Sequence, residues 1–403
     1  MKSFYCSLVF LLFSFYVHAQ ENDRFTTGFS EKIYSKILRE DREILIHIPK
    51  SDGGSKIKDQ GQYPVIYLLD GDENFNSVVS IIEHMEETSL CPPMIVVGIV
   101  HTNRLSDLTT GFDNEYKGAV SNGEKFMSFV EKELIPHIDS TYPTTTYKTF
   151  IGHSVGGLTV MNTLVNKPDL FNSYVSLDGA LWWNEAKVVK EAKTKLAMNN
   201  YKGKTLYMAM ANRLERGVDT LSVQKDTTGT TGLIRSNLSF IKELQKANKN
   251  QLRYRYKFYE DDNHPSITLI GEYDALRYIF DFYRLRIYDS EIENPNFNLD
   301  SLLVAHFNNV SKQMGYIVKP NESLVNSLGY QMIATKQFKK AQALFKLNIA
   351  NNPNNANCYD SIGDLYLAMG DKTKAVASFK KALTLGQIPE SKAKLEKLLN
   401  EKN

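Results

Sequence analysis

The sequence predicts an α/β protein: a mostly parallel, doubly wound sheet followed by a small all-α region. Three observations carry that reading. Residues 65–69, 94–100, 173–177 and 206–211 are short, almost continuously apolar runs, as strands buried on both faces of a parallel sheet require. Helical spacing fills intervals between them, at 123–138 and 233–247. Beyond about residue 320 a repeat takes over: Gly329, Ala341 and Phe345 recur as Gly363, Ala375 and Phe379, each 34 positions on.

The chain opens with a secretory pattern. Lys2 supplies the charge, residues 4–17 are apolar or weakly polar, and Val17-His18-Ala19 suits cleavage after Ala19. Residues 1–19 therefore predict a signal peptide and an exported, periplasmic or secreted protein with no membrane span after cleavage; the apolar core is short for a span. Only Cys91 and Cys358 lie beyond it, in different regions, so a disulfide framework is not expected. Lys and Arg number 48 against 46 Asp and Glu, with no sustained basic stripe, which argues against nucleic acid as a partner. No His, Cys and carboxylate cluster has metal-ligand spacing, and neither a metal nor an organic cofactor is expected.

Residues 33–38 and 42–48 alternate with period two and predict an opening antiparallel pair. The strand at 65–69 runs into Asp70-Gly71-Asp72-Glu73-Asn74-Phe75, where Gly71 permits a turn and the amide of Asp72 can serve an oxyanion. Residues 147–151 predict a strand that leads into Gly152-His153-Ser154-Val155-Gly156, and residues 158–165 a helix after it. Strand, tight turn and helix around Gly-x-Ser-x-Gly define a nucleophile elbow of the α/β-hydrolase kind. Its serine, Ser154, projects above the sheet, and the amide of Val155 at the helix N-terminus faces a developing oxyanion.

A serine hydroxyl needs a base within reach, and in this fold the chain order is nucleophile, acid, histidine. Downstream of Ser154 stand only His264 and His306. His306 lies in an apolar helical stretch and reads as a packing residue. His264, in the polar loop 260–266 after the alternating run 253–259, is the base. The acid is expected in the loop 212–219 after the strand ending near Ala211: Glu215, with Asp219 as the alternative, and Asp178 or a Ser–His dyad as the remaining options. His153 beside the nucleophile, Gly71, Trp182 and Trp183 are candidates to line the substrate pocket. His47, His84, His101 and His137 precede the elbow and read as structural.

The stretch from Tyr63 to Asp72, Asn103-Arg104-Leu105-Ser106-Asp107-Leu108-Thr109, the elbow, Leu181-Trp182-Trp183 and Asn263-His264-Pro265-Ser266 together resemble the Putative esterase family. This is the esterase D-like group of α/β hydrolases that includes ferric-siderophore (enterobactin and bacillibactin) esterases. The resemblance implies Ser154 as nucleophile, His264 as base, and the amides near Asp72 and Val155 as the oxyanion hole. Pro265 stands where many relatives carry glycine, and Asp178-Gly179-Ala180 where they often carry small residues, so a relative's substrate does not transfer.

The resulting domain plan is a hydrolase domain over 25–288, a linker over 289–320 and a repeat region over 321–400. The repeats match the tetratricopeptide pattern, in which small residues let paired helices approach and phenylalanines fill the layer between units. They suggest a protein or peptide partner, a buttress or a lid. The expected activity is hydrolysis of a small-molecule carboxylic ester through an acyl-enzyme, with siderophore or acyl/feruloyl sugar esters as substrate classes. Acyl transfer from the same acyl-enzyme, and an inert adaptor that binds partners through its repeats, are the alternatives.

Overall fold

The computed structural model describes residues 26–49, 62–112 and 120–400; the expected signal peptide lies outside the described residues. Strand β1 (Phe29–Ser35) pairs antiparallel with β2 (Glu40–His47), Phe29 opposite Ile46. The first strand was expected at 33–38, but Ser35 begins a turn instead. The Ser35 hydroxyl accepts from the Leu38 amide, and Glu133 accepts from the amides of Lys36 and Ile37.

Strand β3 (Tyr63–Leu69) leads into helix α1 (Gly71–Glu87), and β4 (Ile95–Ile99) precedes the short helix α2 (Arg104–Leu108). Helices α3 (Gly123–Phe129) and α4 (Ile135–Thr141) are joined through a π-helical turn at Val130–Leu134. Next come β5 (Thr144–His153), α5 (Val155–Asn166), β6 (Ser173–Leu177) and α6 (Trp183–Met198). Strand β7 (Thr205–Ala211), helix α7 (Gly232–Lys246), β8 (Arg253–Tyr259) and α8 (Ile267–Ile279) complete the α/β part.

One eight-stranded sheet results, in the order β1-β2-β4-β3-β5-β6-β7-β8. β2 runs antiparallel to β4, and every pair from β4 through β3 to β8 is parallel. The apolar runs are explained by two-sided burial. Val65, Tyr67 and Leu69 face a core shared with Phe129, Leu158 and Phe171, whereas Ile66 and Leu68 face one shared with Phe75, Ile82 and Leu276. Alternate residues of one strand serve opposite layers, so no position can be polar without cost.

After α9 (Asp289–Glu293), helix α10 (Leu299–Met314) is amphipathic in two directions. Val310 and Met314 pack with Cys91, Tyr147 and Phe280 on the sheet's second layer. Leu299 and Leu303 join Val325, Leu328 and Phe345 in a separate core. The remaining helices are α11 (Glu322–Ala334), α12 (Phe338–Asn351), α13 (Ala356–Ala368), α14 (Lys372–Leu385) and α15 (Pro389–Asn400). Gly329 of α11 lies under the Phe345 ring of α12, and Gly363 of α13 under the Phe379 ring of α14; a Cβ at either glycine would come within 2.6 Å of the ring. Cys91 and Cys358 are both buried free thiols. Among the described residues no helix is long and apolar enough to cross a membrane.

Candidate active site

Parallel strands deliver their loops to one edge of the sheet, and three of those loops converge. β5 ends at His153 and α5 begins at Val155, leaving Ser154 alone on the turn with φ 59° and ψ −116°. That backbone is strained for a residue with a Cβ, and neighbouring contacts hold it. The Ser154 amide donates to the Leu177 carbonyl at 2.9 Å, and the Ser154 carbonyl accepts from the Ala180 amide at 2.9 Å. Gly152 is required by close approach, because a Cβ there would sit 2.5 Å from the Gly156 carbonyl carbon. The elbow is thus fixed by backbone contacts.

His264 comes from the loop between β8 and α8. Its Nε2 lies 3.0 Å from Ser154 Oγ and its Nδ1 2.6 Å from Asp178 Oδ2. A carboxylate can only accept, so Nδ1 carries the proton and Nε2 is left to accept from the serine hydroxyl. The Asp178 side chain is buried, and its second oxygen accepts from the Ala211 amide at 3.1 Å. Asp178 itself sits directly after β6 with φ 44°, its amide donating to Ala209 at 2.8 Å.

Of the carboxylates considered for the acid, Asp178 is the one bonded to His264. Glu215 and Asp219 lie on the exposed loop after β7, and neither reaches His264. Asp219 caps a local turn instead, accepting from the amides of Leu221 and Ser222 and from the Ser222 hydroxyl, and these bonds hold its carboxyl below the usual range. The end of β6 and the loop after it bring Asp178 to His264 because they fold across the elbow, Leu177 bonded to the amide and Ala180 to the carbonyl of Ser154. The available signal was Asp178-Gly179 directly behind a buried strand.

His153 packs beneath the histidine of this relay. Its ring lies 4.5 Å from that of His264, and its Nε2 is 2.8 Å from the His264 carbonyl oxygen, which can only accept. Burial first, then the adjacent His264, lower the His153 imidazole to about 4, so it stays neutral and donates that bond. His306 is elsewhere, with Nε2 3.1 Å from the Tyr283 carbonyl oxygen.

A second network, not anticipated from the sequence, borders the elbow. Arg104 clasps Asp70 with Nε at 2.6 Å and Nη2 at 2.8 Å, and Nη2 also donates to the His153 carbonyl at 3.1 Å. Asp70 holds a left-handed conformation between β3 and α1, and its carboxylate approaches Gly156. Behind it, His101 Nδ1 donates to Asp107 at 3.0 Å, and the fully buried Arg42 donates to the same Asp107 oxygen at 2.6 Å. His101, with Asp70 on one side and Asp107 on the other, ties the site's edge to the core.

Gly71 packs against Gly98 of β4, Asp72 is exposed in the first turn of α1, and Val155 opens α5. Trp183 is buried and donates through Nε1 to the Thr110 carbonyl at 3.1 Å, whereas Trp182 remains partly exposed. Among the described residues no group of His, Cys, Asp and Glu is arranged to hold a metal.

A mostly parallel sheet carrying a serine on a strained elbow, with helices on both faces, defines an α/β-hydrolase fold. Residues 35–267 match the Putative esterase family, and the chain belongs to it as a carboxylic-ester hydrolase. It is 29% identical over 154 residues to the ferri-bacillibactin esterase BesA of Bacillus subtilis, covering 32% of this chain and 52% of that protein. The chain thus spans about half the length of that relative. An IroE-like serine hydrolase from Shewanella oneidensis is 26% identical with a TM-score of 0.64, covering 80% of this chain and 98% of its own. A protein from Capnocytophaga ochracea, at 22% identity and TM-score 0.64, shares the fold over 92% of this chain and 99% of its own.

Proposed function

We propose that this protein is an exported serine esterase that works through an acyl-enzyme. The observation that carries the reading is the relay in which Ser154 Oγ, His264 and Asp178 are joined by contacts of 3.0 and 2.6 Å. Ser154 attacks the ester carbonyl as His264 Nε2 takes its proton. Asp178 holds the imidazole in the required tautomer and stabilises the imidazolium. The amides of Val155 and Asp72 stabilise the tetrahedral oxyanion. Collapse transfers the proton to the leaving alkoxide, and water repeats the sequence on the acyl-enzyme. The acidic Asp70 beside the elbow is neutralised by Arg104, which keeps its charge from opposing that oxyanion.

Siderophore esters with several ester linkages are the leading substrate class, supported by the similarity to a ferri-bacillibactin esterase, and acyl or feruloyl sugar esters follow. Partly exposed Trp182 is the candidate to meet substrate near Ser154, and the helices within 321–400 are read as tetratricopeptide-type repeats whose first units share a core with α10. Export rests on residues 1–19. A fluorophosphonate probe should label the protein at Ser154, and Ser154→Ala should abolish both labelling and hydrolysis of a short p-nitrophenyl ester. Turnover retained in the alanine variant would refute the assignment. Comparison of a ferric tri-catecholate trilactone with a feruloyl sugar ester then separates the substrate classes by product analysis.

A further inference from the structure

Strand β8 closes the sheet at one edge, and beside it α8 and the irregular segment 284–288 enclose an open cleft. Its charge is lopsided. Five cations line it (Arg255, Lys257, Arg277, Arg284 and Arg286) against two carboxylates, Asp274 and Asp281. Both carboxylates are already engaged. Asp274 takes Lys257 at 2.6 Å and the Tyr259 hydroxyl at 2.8 Å, and Asp281 takes Arg253 at 3.0 Å. Among the described residues no carboxylate lies within ion-pair distance of Arg255, Arg277, Arg284 or Arg286.

Two of these arginines are nevertheless held in place, by neutral partners. The Arg255 guanidinium stands 4.4 Å over the Tyr278 ring, which Arg253 also approaches at 4.4 Å. Arg277 donates to the Tyr273 hydroxyl at 3.0 Å. An aromatic face orients a guanidinium without cancelling its charge and leaves edge N–H donors for a ligand. Surface arginines that serve solubility alone have no reason to be fixed in this way, and four like charges converging on one cleft repel one another unless an anion joins them.

We propose that this cleft binds a multiply charged phosphate-type oxyanion, with Arg255 and Arg277 as oriented donors and Arg284 and Arg286 closing over it from the segment that leaves α8. Planar guanidinium forks match the paired oxygens of such a group. None of the lining residues belongs to the Ser154–His264–Asp178 relay, so the site stands independently of the esterase reading.

The test is a calorimetric titration of the full chain with sodium pyrophosphate at physiological ionic strength, about 0.15 M. Saturable one-site binding is expected, weakened at least about tenfold in Arg255→Ala/Arg277→Ala, with ester turnover unchanged. Lys190→Ala, an exposed control on α6, should bind as wild type. Should the first double variant fail to fold by circular dichroism, Arg284→Ala/Arg286→Ala on the irregular segment makes the same test. Flotation with phosphatidic acid vesicles, whose headgroup is a phosphomonoester, distinguishes the source: pyrophosphate binding without flotation indicates a soluble phosphate ester, and binding with flotation a lipid headgroup. Absence of saturable pyrophosphate binding, or binding retained within about twofold in the arginine variants, overturns the proposal, and so does flotation without pyrophosphate binding.

Discussion

Asp178 is tied to the site by geometry: it alone of the candidate carboxylates meets His264. It is buried, carries a positive φ, and spends both carboxylate oxygens, one on His264 and one on the Ala211 amide. Asp178→Asn keeps the shape but can donate to Nδ1, which favours the wrong imidazole tautomer. It should lower kcat by roughly 10^3–10^4-fold. Glu215→Ala, on an exposed loop that does not meet His264, should stay within about twofold of wild type. Steady-state kinetics on one small ester checks both, and a large loss in the Glu215 variant with none in the Asp178 variant would reverse the assignment. The sequence made Ser154 and His264 legible because glycine spacing and histidine scarcity single them out. It left the acid open because the order nucleophile–acid–histidine is satisfied equally by a residue after β6 or after β7. Only the fold tells which loop crosses the elbow.

Among the elements, α1 and α8 meet through an unusual contact. Glu272 of α8 is fully buried, one carboxyl oxygen 3.0 Å from the Ser77 hydroxyl of α1 and the other without a protein partner. Burial raises its carboxyl to about 8. The folded state therefore holds a proton that the unfolded chain releases near 4.5, so this group's contribution to stability is full below about 4.5 and is lost as pH rises through about 8. Glu272→Gln should flatten the stability–pH curve over that window and raise stability at pH 8 relative to wild type; urea melts at pH 5 and pH 8 measure it, and an unchanged slope would refute it. The helical tail offers a second case. Gly329 and Gly363 are needed because Phe345 and Phe379 lie where their Cβ atoms would be. Each Gly→Ala change should cost about 1–3 kcal/mol through overpacking while leaving ester turnover intact. The 34-residue period exposed both glycine–phenylalanine pairs in the sequence, since the same contact recurs at the same interval. The alternation at 33–38 overshoots the edge strand β1, because a side chain from distant Glu133 ends the strand at Ser35.

At the scale of the whole molecule, α10 belongs to two cores at once. Removing everything after Tyr288 takes Val310 and Met314 from the layer that covers Cys91, Tyr147 and Phe280. A chain ended after Pro320 keeps that cover and loses the helical-tail partners of Leu299, Leu303 and the 285–297 segment, including the bonds from Gln337 and Lys340 to Glu291 and Ile292. The shorter chain should therefore melt at least several degrees below the longer one and expose apolar surface, with turnover of a small ester persisting in the chain ended after Pro320. Equal melting temperatures would show that α10 contributes nothing to the hydrolase layer. The apolar helical stretch around His306 is legible in the sequence, but the double allegiance of α10 is not, because a stripe of apolar residues does not reveal how many neighbours share it.

The division of labour at Ser154 bears on how such chains diverge. Its backbone carries the architecture, bonded to Leu177 and Ala180, while its side chain makes only the contact with His264. A single codon change can silence the chemistry and leave the scaffold, the arginine cleft and the helical tail standing. Descendants that bind without turning over are therefore one mutational step away, and a retained Gly152 and Gly156 around a lost serine would be the trace they leave in a genome.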